Sequence, residues 1–71
     1  EQSQGRVDCI VEVPGYVYIF EFKLDGSAQK ALRQIAEKGY ARPYATDPRK
    51  LFRIGVNFSS ETGTISEFMV E

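Results

Sequence analysis

Two strand-forming runs separated by Pro14-Gly15 constrain this chain more than any other feature. The first is Arg6-Val7-Asp8-Cys9-Ile10-Val11-Glu12-Val13. The second is Tyr16-Val17-Tyr18-Ile19-Phe20-Glu21-Phe22-Lys23-Leu24. Val, Ile, Tyr and Phe dominate both, and a Pro-Gly pair between such runs marks a turn. Pro14 cannot take the positive φ that the first position of the favoured two-residue hairpin turns requires. A four-residue loop from Val13 to Tyr16 avoids the conflict and sets Val13 opposite Tyr16, whereas an odd loop or a bulge shifts the pairing. In the even register Asp8 falls opposite Glu21, with Cβ atoms about 5 Å apart on one face. Like charges so placed destabilise a sheet unless something compensates, and a hard divalent cation does so by taking carboxylate oxygens. Lys23, two residues beyond Glu21, projects onto the same face.

The second strand is apolar on both sides. Val17 and Ile19 stand with Glu21 and Lys23, while Tyr16, Tyr18, Phe20, Phe22 and Leu24 stand opposite. A strand of that kind is expected to be central and covered on both faces. Asp25-Gly26-Ser27 then turns into a helix with Ser27 as its N-cap. Ala28, Ala31, Leu32, Ile35 and Ala36 follow the i, i+3, i+4, i+7, i+8 pattern of an amphipathic helix, and Gly39 fits the position just past its end. Gln34 and Lys38 lie along one flank of the apolar stripe. Residues 40–50 contain Pro43 and Pro48 and read as a loop, with a short helical turn expected after Asp47. Leu51 to Phe58 is a third strand. Its connection through a helix predicts a parallel, right-handed crossover onto the second. Ser59 to Gly63 is a turn, and Thr64 to Val70 returns antiparallel. The fold class is α/β: a mixed four-stranded sheet, built of a hairpin, a helix crossover and two further strands, with the helix on one face.

Seventy-one residues hold one domain, near the lower limit for an independent core. A hydrophobic fraction of 42% and an aromatic fraction of 13% argue against disorder. The net charge of −1 hides an asymmetry: residues 23–53 carry eight basic side chains against three acidic ones, a balance of +5. A basic surface beside an acidic pocket suits a polyanion that needs a metal, and ordinary mixed surface charge has the same composition. Cys9 is the only cysteine, so no disulfide forms within the chain. Its alternation with Val7, Val11 and Val13 predicts a buried, inert thiol on the face opposite Asp8. The absence of histidine removes Ser-His catalysis and the usual zinc sites. No signal peptide or membrane span is visible, which makes the cytoplasm the default location.

Hydrolysis of a phosphodiester needs an activated water and stabilisation of charge on the phosphorus oxygens. Carboxylate-held Mg²⁺ supplies both, and a neighbouring lysine can orient or deprotonate the water. Asp8, Glu21 and Lys23 offer those parts, and a structural ion pair at the sheet surface uses the same residues.

The order Gly5-Arg6-Val7-Asp8, hairpin, Phe20-Glu21-Phe22-Lys23-Leu24, helix resembles the PD-(D/E)XK nuclease superfamily. Tyr18 to Lys23, Ala31-Leu32-Arg33-Gln34-Ile35, Lys38-Gly39-Tyr40-Ala41 and Ile54-Gly55-Val56-Asn57-Phe58 are similar, more narrowly, to the nuclease-like domain at the C-terminus of bacterial AAA-ATPase-like proteins. The resemblance runs from Gly5 to Glu71. It implies a metal-dependent nuclease with a restriction-endonuclease-like core, in which Asp8, Glu21 and the carbonyl of Phe22 hold Mg²⁺ or Mn²⁺. Lys23 is then the catalytic lysine. Gln34, Lys38 and Tyr40 are the expected nucleic-acid contacts. Some branches space such a glutamine and tyrosine by four, and here they are six apart, so packing behind the helix end stays open for Tyr40. The superfamily core begins with a helix and a strand that have no counterpart before Glu1-Gln2-Ser3-Gln4. Residues 1–71 are therefore expected to be a single, truncated nuclease-like domain. Its first strand, residues 6–13, then lacks a neighbour and is expected to pair with a second copy in a homodimer. The other function class left open is a non-catalytic interaction or assembly domain with the same fold. Neither the choice between DNA and RNA, nor endo- against exonucleolytic cleavage, nor any base preference is written in the residues.

Overall fold

The computed structural model describes residues 7–71, with side chains from Cys9 onward. Four strands, β1 (Val7–Val13), β2 (Tyr16–Leu24), β3 (Lys50–Ser59) and β4 (Thr64–Val70), form one sheet in the order β1-β2-β3-β4. The helix α1 (Ala28–Lys38) joins β2 to β3, and those two strands are parallel. Both hairpins are antiparallel. This is the mixed α/β arrangement that the patterning predicts. Arg6, the expected start of the first strand, lies outside the described residues.

Local chemistry sets each boundary. Gly15 turns the first hairpin at φ +87°, a conformation that suits a residue without Cβ. Ser27 caps α1 by accepting from the Lys30 amide at 3.0 Å. Gly39 ends the helix in the left-handed region and returns its N–H to the carbonyls of Ala36 and Ile35. The expected helical turn lies elsewhere in the loop. A 3-10 turn forms at Arg42–Tyr44, where Pro43 sits at its start. After Asp47 the Arg49 N–H and guanidinium instead take the Asp47 carboxylate, closing a tight side-chain turn.

The core lies between α1 and the sheet. Val17 and Ile19 pack on Leu32 and Ile35, and Tyr40, Ala41, Tyr44 and Leu51 close around them. Ala28 and Ala31, both wholly buried, bring the helix close to the sheet at Gly55. A Cβ added to Gly55 would stand 2.3 Å from the Ala28 carbonyl oxygen. The helix packs on β2, β3 and β4.

The opposite face differs from the expectation that β2 is covered on both sides. Tyr16, Tyr18 and Phe52 stack there in one group, and Phe20, Phe22 and Phe58 line up in another. Among the described residues no helix lies over them. Tyr16 stays 44% exposed and Phe68 65% exposed. Cys9, expected to be buried, is exposed for the same reason. Among the described residues no helix is long and apolar enough to cross a membrane.

Candidate metal and nucleic-acid site

The even hairpin register holds throughout. Asp8 pairs with Glu21, Ile10 with Ile19, Glu12 with Val17 and Val13 with Tyr16. Asp8 thus occupies the register position directly across from Glu21. On β2 the alternation sends Val17, Ile19 and Glu21 toward the helix, and Glu21 is 0% exposed. A carboxylate removed from water in this way has to be hydrogen-bonded, paired or metal-bound, because the isolated charge is too costly to bury.

Lys23 follows on the same strand, half-buried, and its ammonium donates to Gln34 Oε1 at 2.5 Å. Gln34 sits on α1 eleven residues later in the chain. The crossover helix therefore supplies the acceptor that fixes the lysine. Lys38, exposed on the last helical turn, lies with its ammonium 5.9 Å from the centroid of the Tyr40 ring. Tyr40 is half-buried against the core cluster. So the structure brings Lys23 and Gln34 together, and separately Lys38 and Tyr40. The packing role left open for Tyr40 is met.

Two residues beside Lys23 are assigned no role by the sequence. Across the sheet Lys23 pairs with Asn57, and Asn57 pairs with Glu67. Asn57 is 5% exposed, accepts from the Gly26 amide at 2.8 Å and donates to Ser66 Oγ. Glu67 accepts from the Ala28 amide at 2.8 Å. A carboxylate there satisfies an unpaired helix N–H and complements the positive end of the helix dipole. Both contacts span more than 30 residues. They hold the β2–α1 turn, and with it the end of β2 that carries Lys23.

A second charged group lies at the far end of β1. Tyr44 donates its hydroxyl to Glu12 at 2.9 Å, and Arg49 bridges Glu12 and Asp47. The hydrogen bond from Tyr44, then that from Arg49, holds the Glu12 carboxyl below its ordinary range. The guanidinium beside Asp47 lowers that carboxyl to about 2, and Arg49 is held charged above its ordinary value in return. Donating to Glu12 raises the Tyr44 phenol. This group fastens the 40–50 loop to β1. Elsewhere, Ser60 lowers Asp25 by donating its hydroxyl and its amide to that carboxylate.

Among the described residues, no three His, Cys, Asp or Glu side chains gather as a metal-binding group. The hairpin offers the Glu21 carboxylate, the backbone carbonyl of Phe22 and, at the register position across from Glu21, Asp8. These are hard oxygen donors, which fit Mg²⁺ or Mn²⁺ and suit zinc poorly.

A family profile described as the PD-(D/E)XK nuclease superfamily matches residues 1–68. A protein of Azotobacter chroococcum mcd 1, described as an uncharacterized protein in the vnfD 5′ region, is 39% identical over 71 residues. That match takes in 97% of this chain and 14% of the relative, so the chain spans about one seventh of the relative's length. No solved structure matches. The profile covers nearly the whole chain, hairpin and crossover helix included, and the chain belongs to the PD-(D/E)XK nuclease superfamily.

Proposed function

We propose that this chain is the catalytic core of a divalent-metal-dependent nuclease that hydrolyses phosphodiester bonds in nucleic acid. One observation carries the proposal: the hairpin register sets Asp8 opposite Glu21, two residues from a lysine that Gln34 holds in place. Asp8, Glu21 and the Phe22 carbonyl are the residues to hold Mg²⁺ or Mn²⁺. When bound, the ion activates a water and neutralises charge on the phosphate. Lys23, kept in one orientation by Gln34, stabilises charge on the scissile phosphate or moves the proton of the attacking water. Gln34, Lys38 and Tyr40 stand toward the nucleic acid, within the stretch that carries the basic excess. By resemblance, the parent protein pairs this domain with an AAA-ATPase-like domain and works in the cytoplasm. We infer in addition a homodimer through the β1 edge.

A second reading is a non-catalytic assembly domain. The uncovered aromatic face favours it, since a large exposed apolar patch marks an interface. Cleavage separates the two. A labelled oligonucleotide is incubated with the full-length parent protein and Mg²⁺, beside Asp8→Ala and Lys23→Ala variants. Metal-dependent cleavage lost in both variants supports the nuclease. Cleavage that survives both sinks the site assignment, and no cleavage by the intact protein leaves the assembly domain.

A further inference from the structure

Beside the Asp8–Glu21 pair lies a cleft that the metal chemistry does not use. It has a volume of about 310 Å³ and is lined by Cys9, Ile10, Ile19, Phe20 and Tyr40. It opens on the helix side of β1, because α1 packs on the other three strands. Its floor is the cross-strand pair Ile10–Ile19, the next same-face pair after Asp8–Glu21 and so about 6.6–7 Å along the strand. Its wall is the Tyr40 ring, with the Lys38 ammonium 5.9 Å from the ring centroid. Beyond Ile10, Glu12 receives Tyr44 and Arg49, and these bonds pin to β1 the loop that follows Tyr40. The wall is thus held in place before any ligand arrives.

We propose that this cleft takes one unpaired nucleobase of the substrate, stacked against Tyr40, with Lys38 on its phosphate. The proposal rests on the nuclease reading of the adjacent pair. Three features of the cleft point to this occupant. A volume at the lower end for ligand pockets fits a single ring system rather than an extended molecule. Aliphatic floor and aromatic wall suit a flat π-surface, and base stacking on an aromatic side chain tolerates any base. The cation at the ring matches the phosphate of the same nucleotide. The cleft also stands two residues along the strand from the carboxylates, at the next pair on the same face, a span that a single nucleotide covers between its phosphate and its base. A base inside a duplex cannot enter such a cleft without leaving the stack. The substrate class is therefore single-stranded nucleic acid or a frayed end, and the cleft does not discriminate among bases.

The test is fluorescence anisotropy of end-labelled decamers on the 71-residue chain, with Ca²⁺ in place of Mg²⁺ to prevent cleavage. Single-stranded DNA, single-stranded RNA and the blunt DNA duplex are the three probes. Either single strand is expected to bind at least tenfold more tightly than the duplex, and the two single-strand arms decide between DNA and RNA. Tyr40→Ala is expected to weaken single-strand binding about tenfold, and Tyr40→Phe to keep it. Ile10→Glu, at a residue already 43% exposed, puts a negative charge on the cleft floor and is expected to match Tyr40→Ala without its loss of packing. Equal binding of single strands and duplex overturns the proposal. So does unchanged binding in Ile10→Glu, or no binding of any probe. Mn²⁺ uptake by the unaltered chain separates this proposal from the reading beneath it. Loss of the single-strand preference with metal binding intact fails the cleft alone. A retained preference in a chain that takes up no Mn²⁺ fails the nuclease reading alone.

Discussion

At the scale of single residues, the opposition of Asp8 and Glu21 was legible because it depends on turn parity. The connection is the two-residue Pro14-Gly15 rather than the expected four-residue loop, with Gly15 at the second turn position taking the positive φ that Pro14 cannot. Both loops are even, so the register is the same and alternation does the rest. The bond from Lys23 to Gln34 was not legible. Eleven residues separate them, and their meeting depends on how the helix returns over the sheet. The six-residue spacing from Gln34 to Tyr40 leaves packing behind the helix end open for Tyr40, and the ring packs on the core cluster and lines the cleft. Lys23 is half-buried, and its hydrogen bond is screened by solvent. Lys23→Ala should therefore lower stability by about 1 kcal/mol or less, and Gln34→Ala should do the same. Urea unfolding of the two variants checks this, and a loss of several kcal/mol for Lys23→Ala would mark the lysine as structural.

At the scale of elements, strand and helix limits were readable from capping chemistry and periodicity. Ser27 and Gly39 act where the sequence puts them. The caps supplied by Glu67 and the anchor at Asn57 were hidden, since both act across the sheet from a distant strand. Gly55 shows what the close helix contact demands. Gly55→Ala drives a Cβ into the Ala28 carbonyl, which is backbone and yields little. The expected loss is about 1–3 kcal/mol, read from chemical denaturation. An unchanged midpoint would mean that the helix does not sit this close. The clamp on the 40–50 loop predicts a pH response. Asp47 falls from 3.8 to about 2 in the folded chain, and Glu12 lies below its ordinary 4.5. Both carboxylates are depressed on folding, so their contribution is present above about pH 4.5 and is lost as pH falls toward 2. In Asp47→Asn the decline of stability between pH 4.5 and pH 2 should be shallower than in the unaltered chain, with the remaining slope set by Glu12 and Asp25. Parallel curves for the two proteins would remove Asp47 from the clamp.

At the scale of the whole molecule, the α/β class and strand order were legible because each connection has a favoured geometry. What covers the second face of β2 was not. Apolar residues on both sides of a strand say that both faces favour burial, and nothing about what does the burying. The placement of Cys9 went astray for the same reason. The β1 edge bears on assembly. Ile10, Val11 and Val13 are each more than a third exposed on a strand at the sheet's end, and such an edge is a template for a second strand. Light scattering should give twice the monomer mass, and Ile10→Pro, which removes an N–H that faces the free edge of β1 rather than β2, should return it to monomer. A monomer mass in the unaltered chain would exclude this edge as a dimer contact. The metal site is tested most directly by Mn²⁺ titration of the 71-residue chain watched in amide NMR spectra. The expected result is selective broadening around Asp8, Glu21 and Phe22, abolished in Asp8→Asn. Broadening centred on Glu12 and Asp47 instead, or none at all, would contradict a metal-dependent nuclease site on this hairpin.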